Sequence, residues 1–120
     1  MRLNERISYI TGLLKRYGFQ DIALKDFRPG PLPTMGWYRI EALMAGFRIV
    51  ITEFISESIV KYSYTLISDS EVLLRYDNAP HHSYIRTYPH HKHVNGRVAP
   101  LEDSSIESFL REVLDIISKE

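Results

Sequence analysis

The amino-acid sequence predicts a single α+β domain over residues 1–120. An N-terminal helix, an antiparallel β-meander of about five strands and a C-terminal helix should follow in order, with both helices packed on one face of the sheet. Three observations predict this. Apolar residues recur at spacings of three and four at both ends of the chain, the helical period. From Trp37 onward β-branched and aromatic residues dominate. Breaks at Ala45-Gly46, Glu57-Ser58 and Asp69-Ser70 then divide this region at intervals of about twelve residues.

The first helix is expected over residues 3–17, where Leu3, Ile7, Ile10, Leu14 and Tyr17 form an apolar stripe and Glu5, Arg6, Ser8, Lys15 and Arg16 lie elsewhere. Gly18 is placed to end it, because glycine takes the left-handed conformation without a Cβ penalty. Phe19 to Phe27 should hold a short strand, and Arg28-Pro29-Gly30-Pro31-Leu32-Pro33 a loop, since proline lacks the amide donor that regular elements need. Strands follow at 37–44, 47–56, 59–68 and 71–77, with a fifth over Tyr84 to Tyr88.

Period-two alternation assigns the strand faces. Phe47, Ile49 and Ile51 lead to Glu53, so a carboxylate continues an apolar row and needs an exposed edge or a partner. Val60, Tyr62, Tyr64 and Leu66 should share a face; so should Leu73, Arg75 and Asp77, with Val72, Leu74 and Tyr76 opposite. At the end of the chain, Ser104 with Glu107 three positions later reads as a capping box. Ile106, Phe109, Leu110, Val113, Ile116 and Ile117 supply the stripe of the helix that follows. Trp37 and the helical stripes read as packing.

A composition of 44% hydrophobic and 25% charged residues is that of a globular domain. The absence of cysteine excludes disulfides and thiolate ligands and fits a reducing cytoplasm. The charged start, Met1-Arg2-Leu3-Asn4-Glu5-Arg6, lacks the apolar run of a signal peptide, and no stretch approaches the ~18 apolar residues of a membrane span, so no membrane association is expected. Fifteen basic and fifteen acidic residues cancel, which removes any global attraction for nucleic acid. Locally the balance differs: no acid occurs from Asn78 to Leu101, while Arg86, Lys92 and Arg97 do.

That acid-free stretch contains all five histidines, His81, His82, His90, His91 and His93. Imidazole exchanges protons near neutral pH and, when neutral, ligates metals. Three uses compete. In metal-independent RNA cleavage, one histidine accepts the 2′-hydroxyl proton and another protonates the leaving oxygen, while Arg75, Arg86 or Lys92 stabilises the charged transition state. In a metal-dependent hydrolase, His91 and His93, two apart on an extended segment, bind a divalent ion together with Asp77 or Glu53. In a non-enzymatic binding module, the histidines are hydrogen-bonded loop residues that contact a protein or nucleic acid. Arg75 and Asp77 can pair structurally, with each other or with Glu53. Tyr62, Tyr64 and Tyr76 can stack nucleobases or sit half-buried in the core.

The run Arg75-Tyr76-Asp77-Asn78-Ala79-Pro80-His81-His82, followed by Tyr88-Pro89-His90-His91-Lys92-His93, closely resembles the signature of TumE-like proteins, the toxin half of a prokaryotic toxin–antitoxin pair. Lys61-Tyr62-Ser63-Tyr64 and Glu53 resemble that family's central strands, and the likeness covers roughly residues 50–117. Ser83 stands where the family often has proline, and Tyr88 where it has phenylalanine. The resemblance implies a cytoplasmic toxin neutralised by an antitoxin with a helix-turn-helix part. Ribonuclease activity is favoured by analogy, because such toxins most often attack RNA or translation. On this reading the five histidines supply acid and base, and Asp77 or Glu53 orients one of them. Arg75, Asn78, Arg86 and Lys92 hold RNA, the three tyrosines stack its bases, and no cofactor is needed. Exposed sheet edges are compatible with a homodimer.

Overall fold

The computed structural model describes all residues, 1–120. Helix α1 (Leu3–Arg16) precedes seven strands: β1 (Gln20–Pro29), β2 (Met35–Met44), β3 (Phe47–Ser56), β4 (Ser58–Ser68), β5 (Glu71–Asp77), β6 (His91–Val94) and β7 (Arg97–Pro100). Helix α2 (Ile106–Ser118) closes the chain. The strands form one sheet in sequential order, every neighbour antiparallel. This is the expected α+β meander, extended to seven strands. No helix is long and apolar enough to cross a membrane.

Both helices lie on the face that carries Tyr38, Ile40, Ile49, Ile51, Tyr64, Leu66, Leu74 and Tyr76, which are all buried. Phe109 of α2 packs against Tyr64 and edge-on against Tyr76, with ring centroids 5.6 and 5.3 Å away. Gly18 ends α1 as expected, with φ of 92° and its amide on the Lys15 carbonyl. Helix α2 begins one residue later than its capping box predicts. Ser105, not Ser104, accepts the Ser108 amide, and Glu107 instead accepts a hydrogen bond from Tyr9 of α1.

The alternation rule fails at two bulges. Between β3 and β4 the register passes from Phe54↔Lys61 to Ile55↔Ile59, leaving Val60 as the extra residue. Val60 is therefore exposed instead of sharing the face of Tyr62, Tyr64 and Leu66. Between β4 and β5 the register passes from Leu66↔Leu74 to Ile67↔Val72, so Leu73 is extra and turns toward the core, while Val72 is exposed. Strand β1 also runs further than expected, through Arg28 to Pro29, because proline is tolerated at the end of an edge strand.

No strand forms over Tyr84 to Tyr88. Three successive turns replace it, closed by Ile85 on His82, Tyr88 on Ile85 and His90 on Thr87. These local amide-carbonyl bonds use the donors that a ladder would need. The sheet grows instead through the β6–β7 hairpin, whose turn residues Asn95 and Gly96 have φ of 51° and 78°. Asparagine-glycine is the dipeptide that a two-residue turn with positive φ at both positions prefers, a signal in the sequence that the strand assignment above did not use.

Candidate functional site

The face of the sheet away from the helices carries the residues of interest, and register decides which of them meet. One row across the strands runs Arg39, Thr52, Ser63, Asp77 and His91; the next runs Glu41, Val50, Thr65, Arg75 and His93. A third joins Trp37, Phe54 and Lys61. Asp77 and His91 are thus direct cross-strand partners, with His93 one step away on the same face.

At that corner Asp77 Oδ1 lies 3.0 Å from His91 Nε2, and Asp77 Oδ2 lies 3.6 Å from His93 Nε2. The two imidazole Nε2 atoms are 3.1 Å apart. His82 arrives from the turn after Pro80, its ring 4.8 Å from that of His91 and 5.7 Å from that of His93. One ring nitrogen from each of the three histidines falls within a 4.8 Å span. His91 and Asp77 are buried, and His82 and His93 half-buried. Burial holds the His93 imidazole below its ordinary pKa, helped by His91, Arg75 and His82, while Asp77 opposes the shift. Asp77 Oδ1 also accepts the Ala79 amide at 2.9 Å, which fixes the carboxylate as the strand ends.

A groove of about 590 Å³ opens beside the cluster. Trp37, Phe54, Lys61, Ser63, Arg75 and Asp77 are among its lining residues, as are Tyr62, Asn78 and the exposed His81. Arg75 donates from Nε to Thr65 Oγ1 at 3.3 Å. Trp37, read from the sequence as packing, is half-buried on this uncovered face, with the Arg28 guanidinium 5.4 Å from its ring centroid. Trp37, Phe54 and Lys61 were missed as site residues. The available signal was that Trp37 and Phe54 fall out of phase with the apolar rows Tyr38, Ile40, Ala42 and Phe47, Ile49, Ile51.

The remaining sequence-predicted residues lie elsewhere. Glu53 is fully buried under α1, where Arg6 grips it with Nε at 3.0 Å and Nη2 at 2.9 Å, and the hydroxyls of Tyr38 and Tyr64 donate to it. It touches no histidine. Burial first, and then the Glu53 charge, push the Tyr38 and Tyr64 hydroxyls well above the usual tyrosine range, which keeps both as donors. Tyr76 and Lys92 point to the helix side and share Glu112 of α2, Lys92 Nζ at 3.2 Å from both carboxylate oxygens. Tyr62, raised to about 12 by burial, hydrogen-bonds His90 Nδ1 at 2.8 Å, and the two rings are stacked. His90 is therefore separated from His91 and His93. Arg86 is exposed and paired with Glu102, the first acid after the acid-free stretch.

Asn78 is occupied at both ends of its amide. Its Nδ2 donates to the Val60 carbonyl at 3.0 Å and its Oδ1 accepts the Tyr62 amide at 3.1 Å. It bridges the gap in the ladder where Val60 bulges out, which ties the beginning of the histidine segment to β4.

A family model described as "Toxin TumE" matches residues 14–120. The match reaches far N-terminal of residue 50, where the motif resemblance begins. No curated protein and no solved structure matches the chain.

Proposed function

From a chain that belongs to the TumE toxin family, we propose a toxin that arrests growth by cleaving RNA at the corner formed by Asp77, His82, His91 and His93. The observation that carries this reading is the junction of that cluster with the groove: Asp77 borders both. A single strand lying in the groove meets Lys61 and Arg75, two cations suited to phosphate, and Trp37 and Phe54, two aromatic faces suited to bases. Its scissile phosphate then lies against imidazole nitrogens. Burial, which holds His93 below its ordinary pKa, favours the neutral imidazole suited to activating the attacking oxygen.

Membership in a toxin family implies a cognate antitoxin. The proposed partner is an antitoxin with a helix-turn-helix part, and an RNA substrate puts the action of the toxin in the cytoplasm. The exposed open face is where an inhibitor would block RNA, which gives the antitoxin a physical means of neutralisation.

The test is incubation of purified protein with end-labelled single-stranded RNA. Wild type is expected to cleave it, Arg75→Ala to cleave more slowly, and the double variant His82→Ala/His91→Ala not at all while keeping the wild-type circular dichroism spectrum. Undiminished cleavage by that folded double variant, or intact RNA with wild-type protein that arrests growth, would overturn the proposal.

A further inference from the structure

We propose that Asp77, His82, His91 and His93 form a binding site for one divalent transition-metal ion. The argument starts from His91. Its Nδ1 lies 3.0 Å from the Pro89 carbonyl oxygen, an atom that only accepts, so Nδ1 carries the ring proton. In the neutral ring Nε2 is then a lone pair, and it faces Asp77 Oδ1 at 3.0 Å and His93 Nε2 at 3.1 Å. Acceptors aimed at one another repel unless a cation lies among them. A single proton on Nε2 can point at only one of these partners.

Metal ligands of this type bind at about 2.1 Å, so neighbouring ligand atoms on one ion lie roughly 3.0–3.4 Å apart, for right-angle to tetrahedral arrangements. The Asp77–His91 and His91–His93 separations of 3.0 and 3.1 Å fall at that spacing and Asp77 to His93 is 3.6 Å, whereas the 4.8 Å span of the three histidine nitrogens exceeds the roughly 4.2 Å that one ion bridges, so His82 closes in from its turn when the ion binds. The hydrogen bond from His91 Nδ1–H to a backbone carbonyl is the outer contact that orients metal-ligating histidines. Three of the four ligands are fixed by cross-strand register, and His82 approaches from the adjoining turn. Three imidazoles and one carboxylate suit zinc, cobalt, nickel or manganese better than calcium or magnesium, which prefer all-oxygen shells.

The half-buried His82 and His93 leave the corner open toward the groove, so a bound ion would have room for a water or a phosphate oxygen. That use deepens, and rests on, the ribonuclease reading, with a bound ion taking the place of a free His93 as the group that activates the attacking oxygen; binding of the ion rests on the geometry alone.

The experiment uses tag-free full-length protein, dialysed against chelator and then titrated with cobalt(II) chloride at neutral pH. Visible d–d absorption and calorimetry report binding. One ion per chain is expected, with affinity at least about tenfold weaker in Asp77→Asn and His91→Ala and unchanged in His81→Ala and His90→Ala, which lie outside the cluster. Should His91→Ala fail to fold, His82→Ala on the turn carries the test, and an unchanged cobalt spectrum there would overturn the assignment. So would the absence of saturable binding to folded wild type. Binding without RNA cleavage would uphold the metal site and overturn the ribonuclease reading, whereas cleavage without binding would do the reverse.

Discussion

Replacing Arg6 with leucine removes the cation from a carboxylate that has no access to water. Glu53 is 0% exposed, and Arg6 meets it through two hydrogen bonds of 3.0 and 2.9 Å, with Tyr38 and Tyr64 as the remaining donors. Breaking a buried pair on one side costs about 3–5 kcal/mol, because the charge left behind is neither hydrated nor neutralised. For a chain of 120 residues, each kcal/mol lowers Tm by roughly 4 °C, so Arg6→Leu should lower it by roughly 12–20 °C. The control is the same substitution in a Glu53→Gln background. There no charge is stranded and the glutamine carbonyl still accepts from a tyrosine, so the cost should fall to about 1 kcal/mol, roughly 4 °C. Thermal unfolding followed by circular dichroism in all four proteins gives the coupling directly. Equal losses in the two backgrounds, or a loss of under roughly 4 °C in the first, would refute the reasoning. A small loss would also reopen a functional use for Glu53.

Asn78→Ala removes both bonds that span the Val60 bulge; the Tyr62 amide it orphans is partly buried whereas the exposed Val60 carbonyl is rehydrated, so a loss of about 1–2 kcal/mol in chemical denaturation is expected. Trp37→Ala should weaken single-stranded RNA binding by roughly 5- to 150-fold, the equivalent of about 1–3 kcal/mol for one stacked base, while fluorescence-monitored melting shows a stable fold. Lys92→Met should leave RNA cleavage unchanged, since its ammonium faces Glu112 on the helix side, and should cost up to about 1 kcal/mol in urea unfolding. Loss of cleavage in a folded Lys92→Met protein would contradict that placement.

The sequence alone was enough for the α+β meander, five of its seven strands, both helices and the segment that holds the histidines. These are carried by local rules: apolar period, glycine and proline punctuation, and a histidine run free of acids. Composition, however, did not distinguish histidines that meet from histidines that part. His82, His91 and His93 converge while His81 and His90 do not, because one pair leaves through a series of turns and the other straddles the first residue of β6. Within β6, alternation sends His91 and His93 to the open face and Lys92 to the helices, so a strand boundary assigned a few residues away hid the partition. Asp77 and Glu53 were interchangeable in the sequence, each a strand carboxylate able to orient a histidine. Only tertiary structure separated them, by setting Arg6 over one and two imidazoles beside the other. The physical reason is that face and register are properties of strand pairing across the sheet, and a single bulge such as Val60 or Leu73 changes both without leaving a local mark.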